Sequence, residues 1–253
     1  MKIETPKHSD IPALRALWQE AFGDEDTFLD LFFGTAFDGE RARCVRVGDK
    51  LCAALYWFDC SCEGKSLAYI YAVATAKAYR GRGLGLALMD DTHRLLLSAG
   101  YAGAVLVPVG ASLYGFYERL GYTLCSRVSE LTADAAQEEA ALYPITPKEY
   151  ARRRRALLPK GGVIQEKENL TFLAAQASFY AGDGLLLAAR REGDTLVGIE
   201  LLGNSESAPA IVQALGCTRG RFRTVGQDKG FAMYRPLADD DGHAPTYFGL
   251  AFD

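Results

Sequence analysis

The segment Arg80-Gly81-Arg82-Gly83-Leu84-Gly85 concentrates residue types suited to holding phosphate. Glycine, having no Cβ, lets a ligand approach the backbone closely. If a helix begins just after these glycines, its first unpaired N–H groups and the positive end of its dipole face the same ligand. Arg80 and Arg82 add cationic donors for phosphate oxygens. Spacing excludes two common nucleotide readers. A G-x-G-x-x-G fingerprint begun at Gly81 needs a glycine where Leu86 stands, and begun at Gly83 it meets Leu88. Gly64-Lys65-Ser66 looks like the end of a P-loop, but Asp59 takes the place of its first glycine and the segment reads as a hairpin turn.

Other constellations are weaker. Gly110-Ala111-Ser112-Leu113 opens like a nucleophile elbow and fails at Tyr114, where glycine is required, so a serine hydrolase is disfavoured. Cys60 and Cys62 fall on one face of a strand, but zinc needs two more ligands, and none of the three histidines is near them in sequence. The six cysteines, without a Cys-x-x-Cys, read as buried free thiols in a reducing compartment, with no metal site. The run Arg152 to Arg155 lacks aromatic neighbours; a solvated helix face or a clamp onto acidic groups of the same chain is favoured over a nucleic-acid contact.

The flanking sequence supplies elements to hold the phosphate-suited loop. Ser9 or Asp10, with Pro12 in the first turn, starts a helix over Leu14, Leu17, Trp18, Ala21 and Phe22 that Gly23 ends. An aromatic-rich helix (27–33) precedes three strand-like runs (41–47, 51–62 and 67–75) joined by hairpin turns. The third strand enters the glycine-rich loop, and Leu84, Leu88 and Leu95 mark an amphipathic helix ending at Gly100. A buried strand (104–107), a short helix (111–120) closed by Gly121 and a strand from Tyr122 complete a unit near residue 135. The stretch from Leu95 to Tyr117 has 23 residues without a charge, long enough to span a bilayer. Its glycines and Pro108 divide it into several buried elements instead.

Val73-Ala74-Thr75 followed by Arg80-x-x-Gly83-x-Gly85, together with Phe116-Tyr117-Glu118-Arg119-Leu120-Gly121-Tyr122 downstream, resembles the signature pair of the GCN5-related N-acetyltransferase (GNAT) family. The order of elements over residues 1 to about 130 is similar too. The resemblance implies a mixed, mostly antiparallel α/β (α+β) sheet flanked by helices, and acetyl-CoA as cosubstrate without a metal. It implies that Val73, Ala74 and Thr75, with Tyr114, line the pantetheine arm, and that Gly81, Arg82, Gly83, Leu84, Gly85 and Leu86, with Arg80, hold the pyrophosphate. Tyr117 is then the general acid that protonates the leaving thiolate, with Tyr114 the fallback; on residue type alone Tyr117 reads equally well as a core aromatic beside Leu113 and Leu120. Asp59 and Glu63 are weak candidates for a base.

The second half reads as a helix (170–180), a hairpin (184–202), a helix (210–215) and strands at 221–225, 231–236 and 247–252. It repeats the order of the first half without a glycine-rich loop between strand and helix. A division into residues 1–135, the acetyltransferase domain, and 136–253, a linker helix with a smaller, degenerate GNAT-like domain, follows. Some two-part relatives place a C-terminal carboxylate in the acceptor site, which gives Asp253 a candidate role.

Charge narrows the partners. With 28 basic against 32 acidic residues the chain carries a net charge of -4, so no broad basic field gathers nucleic acid or anionic membrane. The first residues lack the apolar core of a signal peptide, which points to a cytoplasmic protein, monomeric or homodimeric. The expected activity is acetyl transfer to an amine of a small molecule or protein; a silent acyl-CoA sensor is the alternative.

Overall fold

The computed structural model describes residues 1–238 and 244–252. The chain divides into two compact units, Met1–Thr123 joined by the segment that begins at Met233, and Leu124–Ala232 joined by the C-terminal segment. The expected boundary between residues 135 and 136 falls inside the second unit.

In the first unit, β1 (Lys2–Glu4) leads to α1 (Ile11–Phe22) and α2 (Asp26–Thr35), then to β2 (Ala42–Val47), β3 (Lys50–Cys62) and β4 (Lys65–Thr75). α3 (Leu84–Ser98), β5 (Gly103–Leu106) and α4 (Ala111–Glu118) follow. Asp10 occupies the N-cap of α1 but its side chain does not cap it: the carboxylate accepts from the Lys7 N–H at 2.8 Å and pairs with Arg46. Gly23, at φ +79°, supplies the left-handed stop. Glu63 (φ +49°) and Gly64 (φ +81°) make the two-residue turn that joins β3 to β4.

The sheet runs β1-β2-β3-β4-β5 and is completed by Met233–Pro236 of the last strand, which pair antiparallel with β5. Every neighbour is antiparallel except β4 and β5, the pair that α3 connects. One face packs α3 and α4 through Leu84, Leu88, Met89, Leu96, Ile70, Leu106, Tyr117 and Tyr122. Trp18 of α1 and Phe32 and Phe33 of α2 meet Tyr56 of β3, and Trp18 and Phe32 also meet Tyr71 of β4, in an aromatic cluster.

The second unit contains β6 (Thr123–Asp134), β7 (Tyr143–Ile145), α5 (Pro147–Leu157), β8 (Ile164–Gln165), α6 (Glu168–Ala174), β9 (Ser178–Gly182), β10 (Leu185–Glu192), β11 (Thr195–Gly203), α7 (Ala208–Ala214), β12 (Arg219–Val225) and the start of β13 (Lys229–Pro236). Its sheet has the order β6-β12-β11-β10-β9-β7, again with one parallel pair, β11 and β12, joined by a helix. The helix expected over 170–180 is corrected: α6 stops at Ala174, and Phe179 and Ala181 point inward from a strand that pairs with β10. Alternating burial in this stretch outweighs its helical propensity. The expected strand 247–252 is an extended, buried tail whose one ladder contact is Tyr247 to Gly162.

Arg152 to Arg155 lie on α5 and clamp acidic groups of the same unit. Arg152 and Arg153 bind Glu149, Arg155 binds Glu166, and Arg154 forms a buried bidentate pair with Glu200. Among the described residues no helix is long and apolar enough to cross a membrane. The uncharged stretch is divided among the end of α3, β5 and α4.

Candidate active site

β4 and β5 run in register for only three residue pairs, Leu67–Gly103, Ala68–Ala104 and Tyr69–Val105. Beyond Tyr69, β4 continues to Thr75 without a partner on that side, so the parallel pair opens like a fork. A bulge marks the opening. Tyr56 faces Tyr71 and Ala54 faces Ala74, so Ala72 and Val73 share the single position of Leu55, and Ala72 is driven to φ +48°. Such an insertion bends the strand and re-aims its backbone. No local signal marks it, because the bulge falls in an unbroken apolar run.

The glycine-rich loop sits at the end of that half-free strand. Gly81 and Gly83 adopt φ +74° and +76°, and a Cβ built on either meets no protein atom within 4 Å. Gly83 is the N-cap of α3, whose 15 residues are long enough for a full helix dipole. The N–H groups of Leu84, Gly85 and Leu86 begin that helix without intrahelical acceptors. Arg80 is steadied by its Nε, which donates to the Thr75 carbonyl at 2.9 Å, and the Arg82 guanidinium lies 5.1 Å over the Tyr79 ring. Fixed cations beside unpaired amides form an anion cradle.

Gly85 is where the elements converge. A Cβ there would lie 3.5 Å from Thr75 Oγ1 and 3.6 Å from Phe116, so α3, the end of β4 and α4 meet at a glycine. Val73, Leu86, Tyr114 and Phe116 pack from the side against the core cluster that contains Tyr117. The sequence-predicted residues Val73 to Leu86, Tyr114 and Tyr117 therefore assemble around one region.

Tyr117 is 8% exposed, and its hydroxyl has no hydrogen-bond partner among the described residues. Burial pushes its pKa up to about 12, so the phenol keeps its proton at neutral pH. Tyr122 lies edge-on at 5.8 Å. Behind it stands a group for which the sequence carried no signal. His93 Nε2 lies 2.8 Å from the Tyr122 hydroxyl, and His93 Nδ1 lies 2.8 Å from Nη1 of Arg235, 142 residues away. Burial, with the adjacent guanidinium, lowers the His93 pKa to about 3 and keeps the ring neutral.

Asp59 and Glu63 are not brought to the fork. Asp59 faces Ala68, where β4 and β5 remain paired, and is held by Arg41 at 3.2 Å and by the Tyr101 hydroxyl. Glu63 lies in the β3–β4 turn. Among the described residues no three His, Cys, Asp or Glu gather as a metal site, and no disulfide joins the cysteines. The carboxylate of Asp253 lies outside the described residues.

The parallel pair of the second unit extends further than that of the first but is interrupted by a register shift. β11 and β12 stay in register from Thr195–Arg219 to Gly198–Phe222 and pair again at Leu201–Thr224. The helix between them, α7, has seven residues and carries a proline in its first turn instead of a glycine loop.

A family model described as an acetyltransferase (GNAT) domain matches residues 2–125. No curated protein matches the sequence. Among solved structures the chain is similar to a GCN5-related N-acetyltransferase from Kribbella flavida, with a TM-score of 0.71 at 18% identity over 93% of this chain and 70% of that one. A GCN5-related N-acetyltransferase from Anabaena variabilis ATCC 29413 gives 0.70 at 16% identity, covering 94% and 73%. Eis1 from Mycobacterium abscessus gives 0.68 at 12%, covering 94% and 74%. At these identities the likeness is one of fold.

Proposed function

Because residues 2–125 form an acetyltransferase domain of the GNAT family, we propose that the protein moves an acetyl group from acetyl-CoA to a primary amine of a small molecule or protein. The observation that carries this reading is the open fork of β4 and β5 with the glycine cradle at its mouth and a protonated, unpartnered tyrosine beside it.

The cradle suits a pyrophosphate. Its amides and the Arg80 and Arg82 guanidinium groups complement that charge, and the half-free edge of β4 from Val73 to Thr75 offers backbone groups to the amide-bearing pantetheine arm. The thioester then lies in the fork. A neutral amine attacks the carbonyl carbon, the C–N bond forms, and the tetrahedral oxyanion collapses with cleavage of the C–S bond. The ammonium proton leaves to water, the thiolate takes a proton from Tyr117, and the Tyr117 phenolate is reprotonated by solvent before the next turnover. The second unit, without a glycine-rich loop ahead of α7, is read as a GNAT-like half that binds no cofactor.

Calorimetry with acetyl-CoA and thiol release against a panel of amines test this. Tyr117→Phe is expected to bind acetyl-CoA like wild type and to lose roughly 100-fold or more in turnover. Wild-type turnover is expected to rise with pH as the amine deprotonates, without a falling limb near pH 10, since Tyr117 titrates at about 12. Absence of acetyl-CoA binding would overturn the reading, and binding without turnover on any amine would favour a sensor.

A further inference from the structure

Arg235 arrives on β13, opposite Ala104 of β5, and its Nη1 serves two acceptors at once. One is His93 Nδ1 at 2.8 Å, the other the carbonyl of Leu120 at 2.7 Å. A guanidinium donates and never accepts, so Nδ1 must be bare and the imidazole proton must sit on Nε2. His93 then donates through Nε2 to the Tyr122 hydroxyl at 2.8 Å, and the hydroxyl proton of Tyr122 is directed away from His93. Asp90, 3.9 Å from the same guanidinium, is the other charged group at this point.

Both branches end at Tyr117. Its carbonyl accepts the N–H of Leu120 at 2.9 Å and that of Tyr122 at 3.1 Å, so the turn after α4 is wound around the tyrosine's own backbone. The Tyr122 ring, held by His93, stands edge-on to the Tyr117 ring. His93 and Tyr122 are buried, while the Arg235 side chain keeps 30% of its surface exposed. A chain of two fixed hydrogen bonds ending on a packed ring is more rigid than packing alone, and a shift of about 1 Å at a reacting group can cost 100-fold in rate.

We infer that Arg235 is a positioning residue for Tyr117, acting through His93, Tyr122 and the Leu120 carbonyl; this rests on the reading of Tyr117 as the proton donor. Arg235 sets the ring and backbone of the acid without touching acetyl-CoA or amine. The strand that returns to the first unit at the end of the chain thus supplies the second layer of its site.

The test is a double-mutant cycle in the full chain. Arg235→Met is expected to lower kcat roughly 10- to 100-fold with KM for acetyl-CoA within about twofold of wild type. In a Tyr117→Phe background it is expected to cost nothing further, because the group it positions is gone. Arg235→Lys, which keeps a donor, is expected to recover part of the loss. Nitrogen NMR of the histidines is expected to show His93 neutral and protonated on Nε2 from about pH 5 to about pH 8, and to lose that fixed tautomer in Arg235→Met. If Arg235→Met does not fold, Arg235→Lys and His93→Gln take its place in the cycle. Losses that multiply in the double variant, or His93 protonated on Nδ1, would overturn the inference while leaving Tyr117 as the acid. Wild-type turnover in Tyr117→Phe alone would instead remove the acid, and this inference with it.

Discussion

Gly83 holds φ at +76° at the start of α3, and a Cβ there would touch no protein atom. The fold therefore asks glycine of this position only for its backbone, at a strain for other residues of about 1–2 kcal/mol. The empty space above it belongs, in the proposed reading, to the pyrophosphate. Gly83→Ala is expected to shift the thermal midpoint by a few degrees at most and to weaken acetyl-CoA binding about tenfold or more, measured by calorimetry. His93 gives a second residue-scale prediction with an opposite character, a stability effect without a ligand. Its pKa is about 3 in the folded chain against an ordinary value near 6.5, so the unfolded chain binds the extra proton between those values. The stabilisation is complete above about pH 6.5 and is lost as pH falls toward 3, at up to about 1.4 kcal/mol per pH unit. In urea titrations across that range, His93→Gln is expected to lose less stability per pH unit than wild type.

At the scale of elements, the two units present the same strand–helix–strand connection in two states. β4 and β5 separate after three pairs, whereas β11 and β12 pair over four residues, slip in register and pair again at Leu201–Thr224. Both entering strands carry a bulge, β4 at Ala72 and Val73 and β11 at Ile199, and β5 pairs on its other edge with β13. Gly103 sits at that seam. A Cβ on it would lie 2.3 Å from Tyr234 Cε2 and 2.5 Å from its hydroxyl, so the glycine is there to admit the tyrosine ring. Gly103→Ala is expected to destabilise by about 1–3 kcal/mol in chemical denaturation. Tyr234 adjoins Arg235, and displacing it is also expected to lower turnover.

For the molecule as a whole, one buried carboxylate gathers the polar contacts of several elements. In the second unit Glu200 is fully buried, bound by Arg154 at 2.6 and 2.8 Å, by the Tyr150 hydroxyl at 2.7 Å and by the Tyr247 hydroxyl at 3.2 Å. These bonds tie α5, β11 and the tail to one carboxylate. Arg154→Met leaves that charge buried without its counter-ion and is expected to cost about 3–5 kcal/mol in equilibrium denaturation. The double variant Arg154→Met with Glu200→Leu is expected to recover much of the loss, since two apolar groups need no compensation.

The glycine-rich loop, the helix after it and the antiparallel meander before it were legible in the sequence, because each is written in local chemistry: glycine at left-handed φ, and period-2 and period-3.6 burial. The self-clamping of Arg152 to Arg155 was legible as one of two alternatives, and tertiary packing chose it. Helical spacing predicts a helix through Tyr180, but from Ser178 the chain is strand, since pairing with β10 lies outside any local window. The bulge in β4, the exclusion of Asp59 from the fork, and the reach of Arg235 to His93 across 142 residues were decided by the fold alone. Local periodicity fixes which face of an element is buried, but it carries no information about which distant donor will meet a buried acceptor there.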